Sequence, residues 1–300
     1  MTVNNPTGRN HYLPQAYLRR FCDASGKVLR TFLGPDDRLH EKRFVPKETG
    51  YERDLYSLKG AGILGTSPEP DQIEKKVFGP VDGNGASVLD ALHEGAPSQL
   101  SAEERTHLAI FVNAFLERHP QRIRERDKLA EQMARERFEE LKKALRRPNR
   151  DGFDILDLIR DEHVEQLARN FHREYMVQEI QNPASIDYLS GIKLSKFTLD
   201  EDKPFRFFTS DNPVLVNAGQ PWPVQFFTLA LSPCVLLIGV NDEEPVTEPQ
   251  MIFGLALAHC LQLPRQTEYI FSQGPLVDYE GAAIRSSAQS ALIKVNWRKM

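Results

Sequence analysis

Cysteine and tryptophan are scarce in this chain and long apolar runs are missing, and each shortage removes a class of protein. The three cysteines, Cys22, Cys234 and Cys260, are odd in number, far apart and without metal-ligand spacing. That excludes a disulfide framework and a structural zinc site, and leaves reduced thiols in a cytoplasmic protein as the expectation. The longest apolar stretch, Val224 to Val240, is broken by Ser232-Pro233 and reads as two strands, not as a membrane span. Arg9 stands near the start and no apolar segment follows it, so no signal peptide is expected. A surplus of one charge is also missing. With 38 Lys and Arg against 42 Asp and Glu, the formal charge is -4, which argues against a nucleic-acid binder acting through global charge. No Walker lysine, G-x-S-x-G elbow or H-E-x-x-H helix is present. Gly60 to Gly65 fits G-x-G-x-x-G, yet Pro68 and Pro70 stand where the helix should begin, so no dinucleotide site is expected.

What is there is an ordinary globular composition over 300 residues, 40% hydrophobic and 27% charged. The pattern predicts an α+β protein forming a single domain over residues 1–300. Residues 1–70 read as an extended, strand-rich entry, with strands at Gly26 to Leu33 and Tyr51 to Leu58 and a Gly- and Pro-rich loop after them. Residues 71–183 read as helical. Asp71 is a plausible cap for Gln72 to Val77, and Ser101 with Glu104 makes a capping box. The helix begun there places Leu108, Phe111, Val112, Phe115 and Leu116 at core-facing spacing, and Pro120 kinks or restarts it. Between Glu117 and Arg147, eleven Lys and Arg face seven Asp and Glu, which predicts a solvated helix laced with i,i+4 pairs. A further helix, Asp154 to Ile180, carries Ile155, Leu158, Ile159, Leu167, Phe171 and Tyr175, and Asn182-Pro183 ends it. His163 and His172 lie nine apart on it and face opposite sides, so they share no metal. Residues 184–300 read as β-rich from Tyr188 onward. Strands are expected at Phe205 to Thr209, Val214 to Val216, Gln225 to Leu231, Cys234 to Val240 and Glu268 to Ser272, with one packed helix at Pro249 to Leu263.

Two motifs hold the titratable candidates. The first is His11-Tyr12-Leu13-Pro14-Gln15-Ala16-Tyr17-Leu18-Arg19-Arg20-Phe21, and the second is Thr209-Ser210-Asp211-Asn212-Pro213-Val214. Together they resemble a widespread microbial family known only as a domain of unknown function. Arg118-His119-Pro120, Leu231-Ser232-Pro233 and the aromatic run Glu268 to Ser272 add to the resemblance, which covers nearly the whole chain. The resemblance implies no activity.

Chemistry has to be argued from the residues. An imidazole titrating near neutrality suits His11 to general-base work, and its plainer role is to pin the N-terminus to backbone. Asp211 falls at a strand end, where Pro213 stiffens the backbone, and it divides evenly between a site and a self-capping turn. Gln15, Arg19, Arg118 and Asn212 are the candidates for holding substrate, the arginines through a bidentate fork. Glu52, Asp54 and Glu74 flank the Gly-rich loop and, with His11 and Asp211, could hold Mg²⁺ or Mn²⁺. The expected function is a metal-assisted hydrolase of a phosphodiester or nucleotide, with His11 and Asp211 catalytic. The alternative is a non-catalytic module binding a ligand or a protein through the same region, and the bland reading is that the two motifs touch and merely knit the chain.

Overall fold

In the computed structural model, residues 8–33, 38–58, 60, 69–145, 154–200, 202, 206–216, 225–241, 246–262 and 268–275 are described. In chain order the elements are β1 (Arg9–His11), α1 (Gln15–Arg19), β2 (Val28–Leu33), β3 (Leu39–Phe44), β4 (Tyr51–Arg53), α2 (Gly79–Glu94), α3 (Ala102–Glu117), α4 (Pro120–Leu145) and α5 (Asp161–Ile180). They continue as α6 (Pro183–Gly191), β5 (Lys193–Thr198), β6 (Thr209–Ser210), β7 (Val214–Val216), β8 (Phe226–Ser232), β9 (Val235–Val240), α7 (Pro249–Gln262) and β10 (Tyr269–Ser272). Long helices between antiparallel sheets make the fold α+β. The Gly60 to Gly65 motif beyond its first residue, and the turn Pro148 to Gly152, lie outside the described residues.

The chain divides into two compact units, each built from three separate stretches. One comprises Met1–Asn10, Glu52–Pro80 and Glu117–Asn182, and the other His11–Tyr51, Val81–Leu116 and Pro183–Met300. In the first unit, buried Asn10 accepts the Tyr56 N–H at 3.2 Å, and its amide reaches Glu74 at 3.5 Å. Tyr56 packs against Phe78 with ring centroids 4.4 Å apart and the rings tilted by 42°, and its hydroxyl donates to the Arg118 carbonyl at 3.1 Å. The five residues before α2, Glu74 to Phe78, form a π turn. Helices α4 and α5 pair antiparallel. Asp127 meets His172 and Arg173, Glu131 meets Arg169, and Arg135 meets Glu165, so partners step by about four residues in opposite directions.

The second unit holds two antiparallel four-stranded sheets, ordered β3-β2-β10-β6 and β5-β9-β8-β7. Helix α3 starts on the expected capping box. Ser101 Oγ accepts the Glu104 N–H at 3.2 Å, and Glu104 Oε2 accepts the Ser101 N–H at 2.8 Å. Its stripe Leu108, Phe111, Val112, Phe115 and Leu116 is buried, as the spacing predicts. Phe111 lies so close to α2 that a Cβ on Gly85 would sit 2.2 Å from its ring, which only glycine avoids. Lys196 on β5 donates to the carbonyls of Leu92, His93 and Gly95 at 2.6 to 3.3 Å, satisfying the open C-terminal end of α2. His259 and Cys260 on α7 are fully buried, and His259 bonds Thr228 through Nδ1 at 2.9 Å. Burial holds His259 down at about 4 and pushes the Cys260 thiol up to about 12, so both remain neutral packing groups.

Several elements depart from the sequence pattern. Tyr51 to Leu58 is strand only as far as Arg53, because the chain turns at Asp54, whose φ is +56°. Residues 183–191 are helix rather than β: Pro183 opens α6 instead of only ending α5, as a proline at a first helical position does. The strand expected at Phe205 to Thr209 is reduced to Thr209–Ser210 among the described residues. In α5 the buried face is Val164, Ala168, His172, Arg173, Met176 and Ile180, whereas Leu167, Phe171 and Tyr175 are exposed. With Met133 and Phe138 of α4, Leu167 and Phe171 line an open apolar groove of about 580 Å³.

Candidate functional site

In the second unit the two sequence motifs meet through Tyr17 and Thr209. Tyr17 on α1 is 1% exposed, and its hydroxyl lies 2.8 Å from Thr209 Oγ1 and donates to the Ala230 carbonyl at 2.8 Å. Its ring packs on Phe21 and Phe115 at 5.5 and 5.2 Å. Desolvation by burial is the main cause that drives its pKa well above the ordinary phenol range, so it is a fixed neutral hydrogen-bonding group. This is a knot tying α1 to β6 and β8.

Asp211 is 5% exposed, and both its carboxylate oxygens accept the Glu268 N–H, at 3.2 and 3.1 Å. Its own N–H donates to the Tyr269 carbonyl at 3.1 Å. The carboxylate therefore caps the entry to β10. Asn212 belongs to a tight turn in which Ser210 Oγ donates to the Asn212 carbonyl at 2.8 Å and accepts its N–H at 3.1 Å. His11 ends β1 half-buried, with its ring 5.6 Å from that of Tyr51. Gln15 opens α1 half-buried, and Arg19 closes it exposed.

In the first unit, Arg118 is 1% exposed with its guanidinium 5.4 Å over the Phe78 ring, an interior position closed to a ligand arriving from solvent. The three acids proposed as metal ligands serve separate ends. Glu52 pairs with Arg124 at 2.6 Å, Glu74 accepts from Asn10, and Asp54 sits at the turn after β4. Among the described residues, no three His, Cys, Asp or Glu side chains come together as a metal-holding group. The metal expectation thus finds no donor set here, because each acid is placed by a different local partner.

The concave, charge-rich feature of this unit was not visible as a motif. Between the turn after β4 and the helix pair α4–α5 lies a cleft of about 430 Å³. Five cations line it, Arg53, Arg124, Lys128, Arg169 and Arg173, against three carboxylates, Asp54, Asp127 and Glu131, leaving a formal surplus of two positive charges. Asp127 is its anchor. The Arg173 fork grips both carboxylate oxygens, the second at 2.8 Å, while His172 Nδ1 lies 2.7 Å from Oδ1. Arg173 Nε also donates to the Leu55 carbonyl at 3.3 Å, tying the helix pair to the turn beside Asp54. Burial pushes the Asp127 carboxyl up, but hydrogen bonds and charge from His172 and Arg173 prevail and hold it below the ordinary carboxylate range. His172 Nε2 is buried without a hydrogen-bond partner among the described residues, so this ring serves Asp127 through one nitrogen and acts as a positioning part.

Further along, Arg169 pairs with Glu131, and Arg124 with Glu52. Arg53 and Lys128 form no side-chain ion pair or hydrogen bond among the described residues, and both are exposed. Two uncompensated cations over a pre-formed ion-pair floor can accept an anion without first breaking a protein contact.

No curated protein and no solved structure matches the chain. A family model, described as a protein of unknown function (DUF4238), matches residues 9–253 and takes in both motifs, α4, α5 and the whole cleft. The chain belongs to that family.

Proposed function

We propose that this protein binds an anionic, phosphate-bearing small molecule in the cleft formed by the turn after β4, α4 and α5. The observation that carries the reading is the pair of cations, Arg53 and Lys128, that form no ion pair among the described residues, above a floor in which Arg124, Arg169 and Arg173 are already matched. A phosphate oxygen satisfies such groups in short, charge-assisted hydrogen bonds. The role is recognition, in line with the binding-module alternative, but moved from the His11 and Asp211 region to the α4–α5 cleft. Asp211 is taken up in capping β10, and no metal-holding donor group exists among the described residues, so metal-assisted hydrolysis gains no support. A cytoplasmic setting fits the three free thiols.

Calorimetric titration of the full chain with pyrophosphate tests this. Saturable binding is expected, weakened about tenfold or more by the double substitution Arg53→Gln and Lys128→Gln, and weakened again by raised salt. Absence of binding at millimolar pyrophosphate, or equal affinity in the double variant, would overturn it.

A further inference from the structure

We infer that the ligand of this cleft is a polyhydroxylated phosphate, of the sugar-phosphate kind, rather than a nucleotide; the inference rests on the anion-binding reading above. The first ground is what lines the cleft. Among the described residues, all those that line it are polar or charged, with no aromatic and no aliphatic side chain. A nucleobase gains most from leaving water against an aromatic ring or in an apolar slot; the described lining supplies neither, and its arginines are the one stacking surface present. An apolar surface does exist on the same helix pair, the groove lined by Met133, Leu167 and Phe171, but it is a separate cavity.

The second ground is the presence of acceptors among the cations. A ligand that was all anion would use the cations and leave Asp54 without a role. That residue is exposed, and among the described residues its carboxylate has one hydrogen-bond contact, from the Ser57 hydroxyl at 3.5 Å. Gln166 donates its amide N–H to Asn170 at 3.1 Å, which leaves its carbonyl oxygen as an acceptor at the cleft wall. Asp54 and Gln166 are therefore placed to accept hydrogen bonds from ligand hydroxyls, while Arg53 and Lys128 take the phosphate. A sugar phosphate carries both chemistries in one small body.

The third ground is geometric. Asp54 holds a left-handed backbone at φ +56°, a rare conformation for a residue with a Cβ. The turn is locked by the Asp54 N–H to Gly8 and by the Ser57 N–H to the Asp54 carbonyl, both at 3.2 Å. A carboxylate presented on a locked left-handed turn at a cleft rim is held in one place for recognition. The volume, about 430 Å³, is room for roughly fourteen water-sized groups at about 30 Å³ each, enough for a hexose phosphate with its bridging water.

The test compares three probes on the full chain by calorimetry: inorganic phosphate, glucose 6-phosphate and AMP. Glucose 6-phosphate is expected to bind at least tenfold tighter than inorganic phosphate and tighter than AMP. Asp54→Gly keeps the left-handed backbone without strain. Together with Gln166→Ala, it is expected to abolish the advantage of the sugar while leaving inorganic phosphate bound at least as well. AMP binding as tightly as glucose 6-phosphate or tighter, or equal affinity for all three, would overturn the sugar assignment while leaving anion binding intact. No binding of any probe would overturn both.

Discussion

Replacing Tyr17 by phenylalanine removes one hydroxyl that serves both Thr209 and the Ala230 carbonyl in the interior. Both partners lose that hydrogen bond, so Tyr17→Phe is expected to cost about 1–3 kcal/mol of stability in urea unfolding, with no change in ligand affinity. Asp127 makes the opposite kind of test, because it joins the cleft floor to the fold. Its pKa is lowered in the folded state, so its stabilisation is complete above the unfolded carboxylate range and is lost as pH falls through its lowered native value. Asp127→Asn is expected to destabilise by about 2–4 kcal/mol at neutral pH, since Arg173 and His172 lose a nearly buried partner. Unfolding curves between neutral and acid pH should show that cost shrinking as the wild type acidifies. A cost constant over that range would mean the carboxylate is not paired. Neither residue was marked by local sequence. Tyr17 lies inside the first motif beside His11, whose imidazole draws the chemical reading, while Asp127 and His172 are 45 positions apart, on one helix that reads as solvated and another that reads as packing through different residues.

At the scale of elements, signals that depend on neighbours in sequence were legible and those that depend on partners across space were not. The Ser101 and Glu104 capping box, the Pro120 restart and the buried stripe of α3 all follow from spacing, and all appear in the fold. Ser101→Ala is expected to lower stability by about 1 kcal/mol, read as a shift in the thermal midpoint. Strand β3, Leu39 to Phe44, escaped because an edge strand carrying Glu41, Lys42 and Arg43 has no hydrophobic alternation. The face of α5 was misleading for a related reason. Its large apolar residues stand exposed along the groove, while Ala168, His172 and Arg173 face inward, so hydrophobicity alone picks the wrong side. The charge spacing on α4 predicts i,i+4 ion pairs. Some form, such as Glu131 with Arg135, but those that shape the cleft run from α4 to α5. Only the antiparallel register of the two helices reveals them.

At the scale of the whole molecule, motifs and cleft divide the work between two units of the chain. The second unit gathers both motifs around Tyr17, Thr209 and Asp211, where polar groups are spent on one another. The first unit keeps charges in hand at Arg53 and Lys128. On the proposed reading, the motif residues serve as scaffold and the recognition surface is built from residues without a motif. Hydrogen exchange of the full chain with and without saturating glucose 6-phosphate, followed by mass spectrometry, tests that division most directly. The expected result is added protection in peptides covering 53–57, 124–131 and 166–173, with no change in 11–21 or 209–214. Protection at the two motifs, with the α4 and α5 peptides unaffected, would contradict it.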